Sequence, residues 1–125
     1  MVEGRVNKFR EPVIRIGLLG RTGIKVNAII DTGFNGYVSV PTGLIRRLGW
    51  ERVASETYEL ASGEEMVSDT YLGAAKISGR VKQILAVAGS PREVLIGTRL
   101  MDGMELRVNF VSDRVELRTI HSSGS

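Results

Sequence analysis

The chain of 125 residues is 42% hydrophobic and 25% charged, one domain by length and long enough to hold a core without disulfide or metal staples. It has no cysteine, and its one histidine, His121, falls in a tail, 121–125, that reads as disordered; thiolate chemistry, cysteine or histidine metal sites and a Ser/His/Asp triad drop out, and no cofactor or metal is implied. Net charge is +3, but the 13 arginines are scattered from Arg5 to Arg118, a solvated surface and not a nucleic-acid footprint, and with no apolar run near the roughly 20 residues of a membrane span the chain reads as soluble, cytoplasmic and without a signal peptide or membrane partner.

Met1 to Arg10 is polar and charged, with no element assigned. Beyond it, short runs of Val, Ile and Leu broken by Gly, Asn, Ser or Asp predict an all-β domain, bounded at 1–120. Residues 13–19 read as a strand, 20–23 as a turn and 24–30 as the returning strand, a hairpin that runs directly into Asp31-Thr32-Gly33. A short strand over 37–40 precedes the segment 41–50, where apolar positions 44, 45 and 48, a proline near the start and a glycine past the end predict the one helix. Arg46-Arg47 then form its solvated face, and Trp50 reads as a core plug rather than a substrate platform.

A second hairpin runs from Thr57 to Leu60, turns at Ala61-Ser62-Gly63-Glu64 and returns through Met66 to Asp69. Strands over 71–77 and 81–88 follow, turning at 78–80. Val94-Leu95-Ile96 is wholly apolar and ends in Gly97, so it reads as a buried strand, with a single helical turn over 98–102 after it. Leu106, Val108 and Phe110 alternate with polar residues, as do Val115 and Leu117, which predicts a terminal hairpin with one apolar face.

Of the four aspartates, Asp69, Asp102 and Asp113 sit where turns, hairpins or helix ends take a polar residue, whereas Asp31 follows the apolar strand end Ala28-Ile29-Ile30. A carboxylate at the edge of a core is costly unless something holds it. An Asx-turn closing a strand accounts for it locally.

The string 28–36, Ala-Ile-Ile-Asp-Thr-Gly-Phe-Asn-Gly, together with the later Val94-Leu95-Ile96-Gly97 and the intervening hairpin with a small-residue tip, resembles the retropepsin-like family of aspartic proteases, among them the bacterial and archaeal members carrying Asp-Thr-Gly-Phe. The resemblance runs from Val13 to Leu117. It implies a closed β-barrel with one short helix and a flap hairpin, and an aspartic endopeptidase. With a single Asp-Thr-Gly in the chain and a reaction that needs two carboxylates, it implies a homodimer that sets Asp31 beside the same residue of a second copy. By the same resemblance Asp31 is catalytic, Thr32 locks the paired loops across the dimer axis, and Gly33 lets the backbone approach a peptide substrate. Phe34, Asn35 and Gly36, with Ala61, Ser62 and Gly63 at the tip of the flap, are the substrate-binding residues it implies, and the terminal hairpin is the dimer contact.

Viral members usually carry an acidic residue two positions after the glycine and an arginine directly after the later apolar-apolar-Gly; here those positions are Asn35 and Thr98. The joint loss argues for a neutral brace, with Arg99 one position further on also within reach. Phe34 offers no hydroxyl to the dyad, so activity is expected to extend toward neutral pH. A non-catalytic dimeric peptide-binding module on the same fold is the alternative reading.

Overall fold

A computed structural model describes residues 1–89 and 92–120, and for Tyr58 the backbone only. The tail with His121 lies outside the described residues. The described chain is mostly strand with one short helix: β1 (Val2–Val6), β2 (Pro12–Leu19), β3 (Gly23–Ile30), β4 (Val38–Val40), α1 (Thr42–Leu48), β5 (Glu51–Glu59), β6 (Glu65–Ile77), β7 (Arg80–Ala88), β8 (Val94–Ile96), β9 (Met104–Asn109) and β10 (Arg114–Thr119).

All ten strands join one sheet in the order β5-β6-β7-β4-β8-β3-β2-β1-β10-β9. A further antiparallel pairing, Gly17–Leu19 of β2 against Lys76–Ala74 of β6, closes β2, β3, β8, β4, β7 and β6 into a six-stranded barrel. Alternation supplies the filling: Ile14, Ile16 and Leu18 of β2 point inward with Ile30, Ala75, Ile77, Ile84 and Ala86 from neighbouring strands, all buried. The three-residue strands β4 and β8 lie inside the barrel wall; β8 accordingly reads as an unbroken apolar run instead of an alternating one, and β4 is buried at all three positions, Ser39 included.

Helix α1 packs Ile45 and Leu48 inward and exposes Arg46 and Arg47. Gly49 closes it in the left-handed conformation, its N–H donating to Ile45 and Arg46 carbonyls. Trp50 is the core plug its position suggested: it is buried, its indole N–H donates to Leu19 O at 2.8 Å, and its ring lies on the backbone of Gly73. That one side chain joins the start of β5 to β2 and β6.

Three features differ from the sequence reading. The first ten residues contain β1, which pairs with both β2 and β10. Residues 65–77 form one strand, because its first half pairs with β5 and its second half with β7, and Asp69 therefore sits within β6, 3.9 Å from Arg52. Residues 98–103 form successive turns with i to i+3 bonds (Met101 N–H to Thr98 O, Asp102 N–H to Arg99 O) in place of a helical turn. Among the described residues no helix is long and apolar enough to cross a membrane.

Candidate functional site

Strand β3 runs parallel to β8 with Ile30 opposite Ile96, so Asp31 and Gly97 leave the sheet side by side. The N–H of Asp31 donates to Ile96 O at 2.9 Å. The chain then turns back on itself: Gly33 N–H donates to Asp31 Oδ1 at 2.9 Å and Phe34 N–H to Asp31 O at 3.1 Å. The Asx-turn anticipated from Asp-x-Gly is thus present, and it fixes the carboxylate.

Three more backbone bonds sew this loop to the segment after β8. Gly97 N–H donates to Tyr37 O at 2.9 Å, Thr98 N–H to Phe34 O at 2.9 Å, and Arg99 N–H to Gly36 O at 3.2 Å. The Phe34 ring covers the junction. A Cβ on Gly36 would stand 2.6 Å from Phe34 Cζ, and one on Gly97 would stand 2.8 Å from Phe34 Cδ2 and collide with Gly36 O. Only glycine at both positions admits ring and backbone together. The brace is therefore neutral, built from backbone and one ring. Arg99 does not enter the Asp31 cavity; its guanidinium sits 5.9 Å from the Tyr37 ring centroid.

Two open cavities flank the loop. One, of about 410 Å³, holds Asp31 and Thr32 with Arg10, Glu11, Pro12 and Glu93 among its lining. The other, of about 740 Å³, is lined by Asn35, Tyr37, Thr98, Arg99 and Asp102. Asp31 and Phe34 are half-buried, whereas Thr32, Gly33 and Asn35 are exposed. A single half-buried carboxylate held by a backbone N–H in an open cavity can accept a proton and be approached by a ligand. Among the described residues, no three His, Cys, Asp or Glu side chains gather as a metal would require.

Ala61, Ser62 and Gly63 form the tip of the β5–β6 hairpin, closed by Leu60 N–H to Glu64 O (2.8 Å) and Gly63 N–H to Leu60 O (2.9 Å), with Gly63 at φ +87°. The tip lines neither cavity. Beyond Asp69 the two strands pair only with each other, and the side chains described from 51 to 67 are exposed throughout. The hairpin is a projecting arm. It is also an acidic one: residues 51–69 carry six acidic side chains against Arg52, a net charge of −5, so the rest of the chain carries +8.

Sequence reading missed Arg10, Glu11 and Glu93 as neighbours of Asp31, since only the β1–β2 connection and the start of β8 bring them there. The charge of the hairpin was open to plain counting. No family model and no curated protein matches the sequence.

Proposed function

We propose that the chain is a homodimeric aspartic endopeptidase of the retropepsin-like kind, with Asp31 as its catalytic carboxylate. The observation that carries this reading is the held Asp31: its Oδ1 takes the Gly33 N–H, and its loop is bonded at four points to Ile96–Arg99, in a cavity open to solvent. The closed barrel, the long hairpin and the order of the motifs agree with it.

On this reading two copies bring their Asp31 side chains together about a twofold axis. Two carboxylates about 3 Å apart cannot both ionise, so the pair holds one proton. The ionised member takes a proton from a water as its oxygen attacks the scissile carbonyl carbon, and the protonated member donates to the carbonyl oxygen. The tetrahedral intermediate then collapses, the C–N bond breaks and a proton passes to the leaving amine. Thr32 steadies the paired loops, Gly33 admits the peptide backbone, and Phe34, Asn35 and Gly36 border its central residues. The β5–β6 arm, with Ala61-Ser62-Gly63 at its tip, folds over the peptide and excludes water.

A non-catalytic peptide-holding module is the second reading. It is favoured by the outer edge of β5, nine residues long and unpaired on its far side among the described residues, to which an extended peptide can add as a strand. A peptide-library digest with wild type and Asp31→Asn, with and without pepstatin, at several pH values separates the two. Cleavage by wild type alone, blocked by pepstatin and extending toward neutral pH, supports the protease. Equal binding by both proteins with no cleavage supports the module.

A further inference from the structure

Of the two arginines that line the cavities beside the Asp31 loop, one has a structural partner and the other has none. Arg10 pairs with Asp113 Oδ1 at 2.9 Å. Arg99 forms no ion pair among the described residues, although Asp102 lines the same cavity. The brace beneath the loop is made of backbone and the Phe34 ring, so it does not use the guanidinium either.

That guanidinium is nonetheless held in place. Leu100 and Met101, the next residues along the chain, are buried, and the turn they anchor is bonded through Arg99 N–H to Gly36 O at 3.2 Å and Asp102 N–H to Arg99 O at 3.3 Å. The Tyr37 ring, its centroid 5.9 Å away, gives the cation a face to lie on. Tyr37 is fixed in turn, its carbonyl accepting the Gly97 N–H at 2.9 Å. An exposed arginine is ordinary, but one set over an aromatic ring in a cavity, with no anion of its own, is a preorganised charge. Asn35, Tyr37 and Thr98 complete the lining with Asp102. Each of the first three offers a hydrogen-bond donor, and no aliphatic side chain takes part.

We infer that this cavity, of about 740 Å³, binds a carboxylate of the peptide substrate, with the Arg99 guanidinium as counter-ion and the Asn35 amide and Thr98 hydroxyl as further donors. This rests on the protease reading, to which it adds a charge requirement at one fixed distance from the scissile bond. Asn35 belongs both to the cavity and to the loop that borders the central residues of the peptide on that reading, so a chain laid along the loop passes Arg99. A guanidinium meets a carboxylate through two parallel N–H···O bonds, which select direction as well as charge. Asp102 repels a second anion and accepts N–H groups of the same chain, so the site suits one carboxylate and not an acidic run. The negative field of the β5–β6 arm acts on every charge of the peptide and fades with salt, whereas Arg99 acts on one group.

The test uses a library of short peptides, each with one glutamate and one lysine at varied positions, so that net charge is constant and the field of the arm cancels in the comparison. Cleavage products of wild type, Arg99→Gln, Arg99→Glu and Asp102→Asn are sequenced. Peptides retained by immobilised Asp31→Asn and Asp31→Asn/Arg99→Gln proteins are sequenced in parallel, and both arms are run with free and amidated C-termini. The expected result is glutamate enriched about five-fold at one distance from the cut. The enrichment is lost in Arg99→Gln, gives way to lysine in Arg99→Glu and rises in Asp102→Asn. The Asp31→Asn protein retains the same peptides and the double variant does not. Where the carboxylate is the C-terminal one, the cut instead falls at a fixed distance from the free end, and amidation abolishes this as Arg99→Gln does. Indifference to both the glutamate position and the free end, or a preference unchanged in Arg99→Gln and Arg99→Glu, overturns the proposal. The two readings fail separately: cleavage without an Arg99-dependent choice removes only this site, while Arg99-dependent retention with no cleavage by wild type removes only the protease.

Discussion

Phe34 and Gly97 are in mutual contact across the base of the Asp31 loop, with 2.8 Å between Phe34 Cδ2 and the place a Gly97 Cβ would occupy. That contact, with the Thr98 N–H to Phe34 O bond, ties the Asp31 loop to the segment after β8. Ala at 97 would drive its methyl into the Gly36 carbonyl, a backbone group with nowhere to move, at a cost of about 1–3 kcal/mol. Phe34→Ala empties a half-buried site, so its cost falls below the 3–5 kcal/mol or so of a core phenylalanine. Both variants are expected to lose peptidase activity out of proportion to stability, because they release the loop that aims Asp31. Urea unfolding alongside kcat checks this; activity that falls only with the folded fraction would make the contact purely structural.

The Trp50 indole gives a stability prediction independent of any activity. Trp50→Phe keeps most of the apolar contact but leaves Leu19 O without its 2.8 Å donor, which should cost about 1–3 kcal/mol. Trp50→Ala should cost about 3–5 kcal/mol. Chemical denaturation of the two variants gives the difference, and a Phe variant as unstable as the Ala variant would mean that the hydrogen bond, not the packing, dominates.

The β5–β6 arm should open far more readily than the barrel. Its outer strands pair only with each other, and its described side chains from 51 to 67 are exposed, so little buried area opposes local unfolding. Hydrogen exchange is expected to be fastest at 56–68 and slowest in β2 and β7. Its charge of −5 should also make arginine- and lysine-containing peptides better substrates than their acidic counterparts, with the preference shrinking as salt rises. Protection in the arm equal to that of β2 would rule out a mobile cover.

Much of this architecture was legible because the patterns were local. The strand that ends at Ile30, the helix with Pro41 before it and Gly49 after it, and the buried Val94–Ile96 each declare themselves within ten residues. Strand β1 did not. Its inward positions are Val2, Gly4 and Val6, and the glycine that breaks the apolar alternation is required by the Val13 carbonyl of β2, which a Cβ there would strike. The site divides the same way. Asp31 stood out by its position at a strand end, and Asn35 with Thr98 announced a neutral brace. The ring-on-glycine contact that supplies the brace, and the approach of Arg10, Glu11 and Glu93 to the cavity, depend on pairing between distant strands.

If one active site is made by two chains, mixing active and inactive subunits exposes it. Asp31→Asn retains an Oδ1 to accept the Gly33 N–H, so the loop should keep its geometry while the general base or acid is lost, lowering the rate about 10²–10⁴-fold. When wild type is equilibrated with an equal amount of this variant, random pairing leaves about a quarter of the dimers fully wild type. Activity is predicted to fall to about a quarter of that of the same total concentration of wild type. Activity remaining at about half, in proportion to the wild-type chains present, would rule out a shared site and place the second proton-carrying group in the same chain, where Glu11 and Glu93 share the Asp31 cavity.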